Sequence, residues 1–225
     1  MAGGISIGNG LLWVVIWFGF MLLYTLLDVA VWRRISPAYE KYLNIATIVL
    51  CMAVFLSLLT GKTTFKIDLL GNISLPGIFC AIGCAILLYL LLDKGLDPVF
   101  ERFFPTSEES YQKTLQALRK APVISLLQVC ILAPVIEEIL MRGYLLHGLA
   151  VSCGSAVALL VSSLLFALLH FNMVQTLSAW ICGILLGVLY LHTGSVFCCI
   201  LTHAGYNLIS FISMMARSKH ALRGI

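Results

Sequence analysis

Three patterns at helical spacing interrupt the apolar second half of this 225-residue chain: Glu137-Glu138 followed by Arg142, Phe166 followed by His170, and His203 followed by Asn207. Residues four apart project from one face of a helix. Glu138 and Arg142 are so placed and can pair, whereas Glu137 lies about 100° round the helix and points elsewhere. The spacing assigns Glu138 and Arg142 to a local clamp and leaves Glu137 for chemistry. Ionisable groups in an apolar helix are costly unless they are paired or face the protein interior, so they mark a functional site by default.

A carboxylate and an imidazole beside one water can remove its proton as general base. A second imidazole and a carboxamide can donate hydrogen bonds where an oxyanion develops. Glu137, His170, His203 and Asn207 therefore suffice for hydrolysis of a peptide bond without a Ser or Cys nucleophile. The same Glu and His groups can instead hold a divalent metal that activates the water. HExxH is absent, however, and with it the strongest sequence argument for a zinc peptidase, so the expectation is catalysis without a cofactor. Each pattern also has a structural reading: an ion pair for Glu138 and Arg142, an interface histidine for His170, an interhelical hydrogen bond for His203 and Asn207. Two non-enzymatic functions compete. One is a membrane immunity or scaffold protein that binds a peptide or a membrane partner. The other is a transporter, which the scarcity of intramembrane charge outside the motifs and the lack of an inverted repeat disfavour.

The elements that must position these residues are membrane helices. The chain is 61% hydrophobic and 11% charged, with a mean hydropathy of +1.03. That composition belongs to an all-α polytopic membrane protein, and a net charge of +4 is too small to suggest nucleic acid. Seven spans are expected, at 11–31, 42–60, 77–92, 122–149, 155–170, 174–191 and 196–216. We read one integral membrane domain. Its N-terminal spans occupy 1–92, a cytoplasmic linker 93–120, and a catalytic four-helix core 121–216. The linker is expected to hold an amphipathic helix at the interface or an ordinary solvated linker helix, with a capping box from Thr106 to Glu109 and Tyr111, Leu115 and Leu118 at helical spacing. Very short links make the last four spans antiparallel neighbours. The eight cysteines lie mostly in apolar runs, where Cys packs as a small hydrophobe. Gly183 and Gly187 form a GxxxG, a signal of close helix packing, and Asn72-Ile73-Ser74 is a chance match to a glycosylation acceptor.

Seven spans sort the basic residues by side. Eleven Lys and Arg fall on one side, from Arg33, Arg34 and Lys41 through 94–120 to Arg217, Lys219 and Arg223, against Lys62 and Lys66 on the other. The N-terminus is expected outside and the C-terminus in the cytoplasm. One tension remains: His170, at the end of its span, should lie near the surface, while Glu137 and His203 lie deeper. The fifth helix must extend further, tilt, or begin later.

The double Glu with Arg, the FxxxH and the HxxxN, in this order in the last half of a small polytopic protein, resemble the CAAX prenyl protease and bacteriocin-processing family, also called CPBP or Abi. The likeness covers roughly residues 121–215. It implies an intramembrane protease built as a helical bundle around a conical polar cavity. It also implies that Glu137 and His170 activate water, that His203 and Asn207 form the oxyanion site, and that Glu138, Arg142 and Phe166 support them. The implied partners are the lipid bilayer and a peptide or protein substrate, prenylated at its C-terminus in eukaryotic members and a peptide precursor in bacterial ones.

Overall fold

The computed structural model describes residues 3–35, 39–70, 73–105, 113, 115, 116, 118–170 and 172–223, with side chains followed to Ala216. The expected capping box, Tyr111, Asn72 and the side chains of Arg217, Lys219 and Arg223 lie outside the described residues. Among the described residues seven long helices carry the fold, further helical residues fall between 113 and 120, and there is no strand. The seven are α1 (Ile7–Ile35), α2 (Glu40–Lys62), α3 (Leu75–Phe103), α4 (Pro122–Cys153), α5 (Ser155–Leu168), α6 (Met173–Thr193) and α7 (Val196–Arg223). The protein is an all-helical, multi-pass membrane protein. Six helices are long and apolar enough to cross a bilayer; α5 is the exception. Its 14 residues rise only ~21 Å, against a hydrocarbon core of about 30 Å.

The fifth helix neither begins later than expected nor extends further; it starts at Ser155 and stops at Leu168, two residues before His170. Gly154, at φ 82° and ψ 156°, turns the chain between α4 and α5 in a conformation that a side chain would not tolerate. Glu137 and His170 flank this turn almost symmetrically in sequence, so two antiparallel helices bring them to similar depth. His170 follows α5 and is half-buried.

Helix α3 runs on to Phe103 and so absorbs the start of the expected linker. The sequence obstacle is Pro98, whose ring would strike the carbonyl four residues back in an α-helix. The turn before it widens to π geometry over Leu92–Leu96, with the Asp97 N–H reaching Leu92 O, and the helix passes the proline. The same device recurs in α4, where Gln128–Leu132 is π-helical ahead of Pro134.

The core lies where α4 meets α1, α2 and the last three helices. Trp13, Trp17 and Phe20 of α1 surround Phe55 of α2, with ring centroids 5.8, 4.9 and 5.9 Å away. Outward-facing residues such as Leu26, Leu50 and Phe79 are exposed and form the lipid-facing surface. Nearer the other end, Tyr24 donates to Asn44 Oδ1 (2.5 Å), which also accepts from Gln128 Nε2 (2.7 Å), tying α1, α2 and α4 together. The segment between α2 and α3 folds back over the end where α4 terminates. Phe65 stacks on Tyr144 (6.0 Å) and lies 5.0 Å from the His147 ring. Ile67 packs at Gly143, and Leu69 O accepts from Phe197 N. Beside it, Ile5 packs on Gly148 and donates its N–H to that residue's carbonyl.

Candidate active site

Helix α4 supplies the acids. Glu138 and Arg142 form the pair expected from their spacing, Oε1 to Nη1 at 2.8 Å, with side chains 0% and 1% exposed. Arg142 also donates from Nη2 to Gly183 O of α6 at 2.9 Å and lies over the Phe166 ring of α5 at 5.0 Å. One buried guanidinium thus joins α4, α5 and α6. The joint requires small residues: a Cβ on Gly183 would stand 3.1 Å from both Cα and Cβ of Ser163, and one on Gly187 would meet Leu159. The GxxxG is a packing element, as its sequence suggests, and it also sets the carbonyl that Arg142 uses.

His203 of α7 stands between the two glutamates. Its Nδ1 is 2.9 Å from Glu138 Oε1, and its Nε2 is 3.9 Å from Glu137 Oε2. The shorter contact is a hydrogen bond. The longer one is not, but both groups can reach a shared oxygen. The two adjacent acids are therefore distinct. Glu138 accepts from Arg142 and His203 and is sealed in, whereas the Glu137 side chain is 21% exposed.

His170 follows the end of α5. Its Nδ1 lies 3.1 Å from Phe166 O, and its own carbonyl accepts from Thr176 Oγ1 at 2.8 Å. With Nδ1 donating to Phe166, the Nε2 lone pair is available to take a proton. Phe166, 1% exposed, presents its ring edge-on to both imidazoles, 5.2 Å from His170 and 5.7 Å from His203. Among the described residues no hydrogen bond or ion pair joins His170 to Glu137; the imidazole that reaches Glu137 is that of His203.

Asn207, one turn beyond His203, donates from Nδ2 to Val129 O of α4 at 2.9 Å. That carbonyl is a product of the π turn. Ala133 N–H bonds Gln128 O instead, and the next residue, Pro134, has no N–H to offer. The Asn207 amide keeps a second N–H and its oxygen for other partners.

Sequence reasoning missed the backbone acceptors Val129 and Gly183, and the polar contacts that α3 makes with α6 and α7. Tyr206 OH donates to Asp93 Oδ1 at 2.9 Å, and Ser178 Oγ donates to Asp97. Asp93 and Asp97 lie one turn apart, which could have signalled a shared face. Among the described residues, no group of three or more His, Cys, Asp or Glu side chains is placed to hold a metal ion.

No curated protein and no solved structure matches the chain. Residues 119–209 match a family model described as type II CAAX prenyl endopeptidase Rce1-like, a segment that contains all three motifs. The segment that builds the site, about two fifths of the chain, is thus similar to a family of CAAX prenyl endopeptidases.

Proposed function

We propose that this protein is an intramembrane endopeptidase that hydrolyses a peptide bond of a membrane-associated peptide or protein through a water activated by Glu137. The observation that carries this reading is the division of labour between the adjacent acids. Glu138 is buried, with its Oε1 taken by both Arg142 and His203, while Glu137 is the more exposed and faces His203 across 3.9 Å.

In this scheme Glu137 accepts the proton of the attacking water, with the Nε2 lone pair of His170 as the second base on the α5 side. The water oxygen bonds to the scissile carbonyl carbon, and the carbonyl electrons move onto its oxygen. His203, carrying a proton on Nε2, and the remaining N–H of Asn207 donate to that oxyanion. The proton held by Glu137 then passes to the leaving nitrogen as the C–N bond breaks. Glu138 and Arg142 hold α4 in place and fix the His203 ring through Nδ1. The expected substrates are lipidated C-terminal peptides or peptide precursors, presented from the bilayer.

The test is cleavage of membrane-reconstituted peptides, prenylated and unprenylated, by purified protein. Glu137→Gln keeps the shape of the side chain and removes the base, so turnover should nearly vanish while the folded protein persists. A Glu137→Gln variant as active as the parent overturns the mechanism. A parent that binds such peptides and never cleaves them overturns the protease reading.

A further inference from the structure

Helix α3 lies wholly outside residues 119–209, yet it carries the face of α7 next to the motif. Thr202 Oγ1 donates to Ala81 O (3.0 Å), Tyr206 OH to Asp93 Oδ1 (2.9 Å), and Tyr89 OH to Ser213 Oγ (2.9 Å). Between these bonds the two backbones come close, since a Cβ on Gly205 would stand 3.2 Å from Ala85 Cβ. Thr202, Tyr206 and Ser213 form one stripe along α7. His203 and Asn207 form the adjacent stripe, about 100° round the helix, and face α4. The rotation of α7 about its axis therefore decides whether His203 and Asn207 meet Glu138 and Val129. The hydrogen bond nearest Asn207 in sequence is the one from Tyr206 to Asp93.

We infer that Asp93 is a positioning residue for the α7 motif, acting through Tyr206 to fix the rotation of α7 that presents His203 and Asn207 to α4. Its place in the sequence supports this. The π turn over Leu92–Leu96 that admits Pro98 contains Asp93, and Asp97 one turn later takes Ser178 of α6. α3 thus brackets α6 and α7 with consecutive carboxylates. Asp93 touches no reacting group; it acts by geometry, and a misplacement of about 1 Å at a catalytic group is enough to cost up to 10²-fold in rate. As a statement about turnover, the inference rests on the protease reading; as a statement about His203, it does not.

Two measurements test it on the full-length protein in detergent or bilayer discs. In the first, kcat and KM are compared for the parent, Asp93→Asn, Asp93→Ala, Tyr206→Phe and the double variant Asp93→Ala/Tyr206→Phe. Asp93→Asn keeps the Oδ1 acceptor and should stay within about twofold of the parent. Asp93→Ala and Tyr206→Phe should each lower kcat by roughly tenfold with KM within about twofold, and the double variant should be no worse than either, because both remove one link. Unchanged kcat in the single variants, or losses that multiply in the double, overturn the inference. In the second, protein labelled with ¹⁵N-histidine reports the His203 ring, assigned by its loss in His203→Gln. Its resonances should move in Asp93→Ala and Tyr206→Phe and stay put in Asp93→Asn. If they do not move, the inference fails whether or not a substrate is known. If they move in a protein that cleaves nothing, the positioning role stands and only the protease reading falls.

Discussion

Asn207 and Val129 are joined at 2.9 Å because the backbone donor that would otherwise serve the Val129 carbonyl belongs to a proline. Restoring that donor should compete with the amide. Pro134→Ala is expected to lower kcat by up to about tenfold by loosening Asn207. Asn207→Ala should go further, by about 10²–10³, the usual effect of losing one oxyanion donor, and still leave residual turnover. Steady-state kinetics on one peptide substrate checks both. A Pro134→Ala loss as deep as that of Asn207→Ala would show that the proline matters for more than the carbonyl.

Arg142 has a different kind of importance. It is 1% exposed and neutralises a Glu138 that is 0% exposed. Truncating it strands a buried carboxylate, and breaking such a pair costs on the order of 3–5 kcal/mol. Arg142→Ala should reduce both the yield of folded protein and its melting temperature in detergent. Arg142→Met combined with Glu138→Leu should recover much of the stability without activity, since the uncompensated charge is gone.

The glutamate scheme makes a prediction about metals. Protein dialysed extensively against a strong chelator is expected to retain its turnover, and elemental analysis of active preparations should show less than stoichiometric zinc. Activity that disappears on chelation and returns in proportion to added metal would transfer the water-activating role to an ion and leave the protease assignment in place.

Sidedness is testable by fusion. The basic residues at 33–41, 94–120 and 217–223 share one side only if α5 crosses despite its 14 residues. Reporters fused before Leu11 and after Arg223 should report an outside N-terminus and a cytoplasmic C-terminus. Both ends on one side would mean that α5 is re-entrant and that six helices span.

Much of this architecture is legible from the chain. Long apolar runs must become helices in a bilayer, because no other open structure satisfies the backbone there, so all seven expected segments have a helix. The Glu138–Arg142 pair was equally readable, since it is local and set by helical spacing. Contacts between helices were less so. That His203 would bind Glu138 through one nitrogen and face Glu137 with the other depends on how α7 is rotated, and α3 controls that rotation from outside the motif region. The π turns were hidden because local pattern does not distinguish a wide turn from a regular one. For the turns over Leu92–Leu96 and Gln128–Leu132, Pro98 and Pro134, each inside an otherwise continuous helix, were the signal. The extension of α3 past Asp93 was missed for the same reason, as its charges and Pro98 read as the end of a helix.

The segment 63–70 folds across one end of the bundle. A hydrolase needs solvent at the bond it cuts, and between membrane helices any solvated path is also a potential leak for ions. Phe65 and Ile67, with Ile5 beside them, are wedged over the end where α4 terminates. Under the proposed mechanism, water for Glu137 would have to come from elsewhere than this covered end. A cap of this kind would let the proposed peptide hydrolysis proceed without short-circuiting the electrical barrier of the membrane around it.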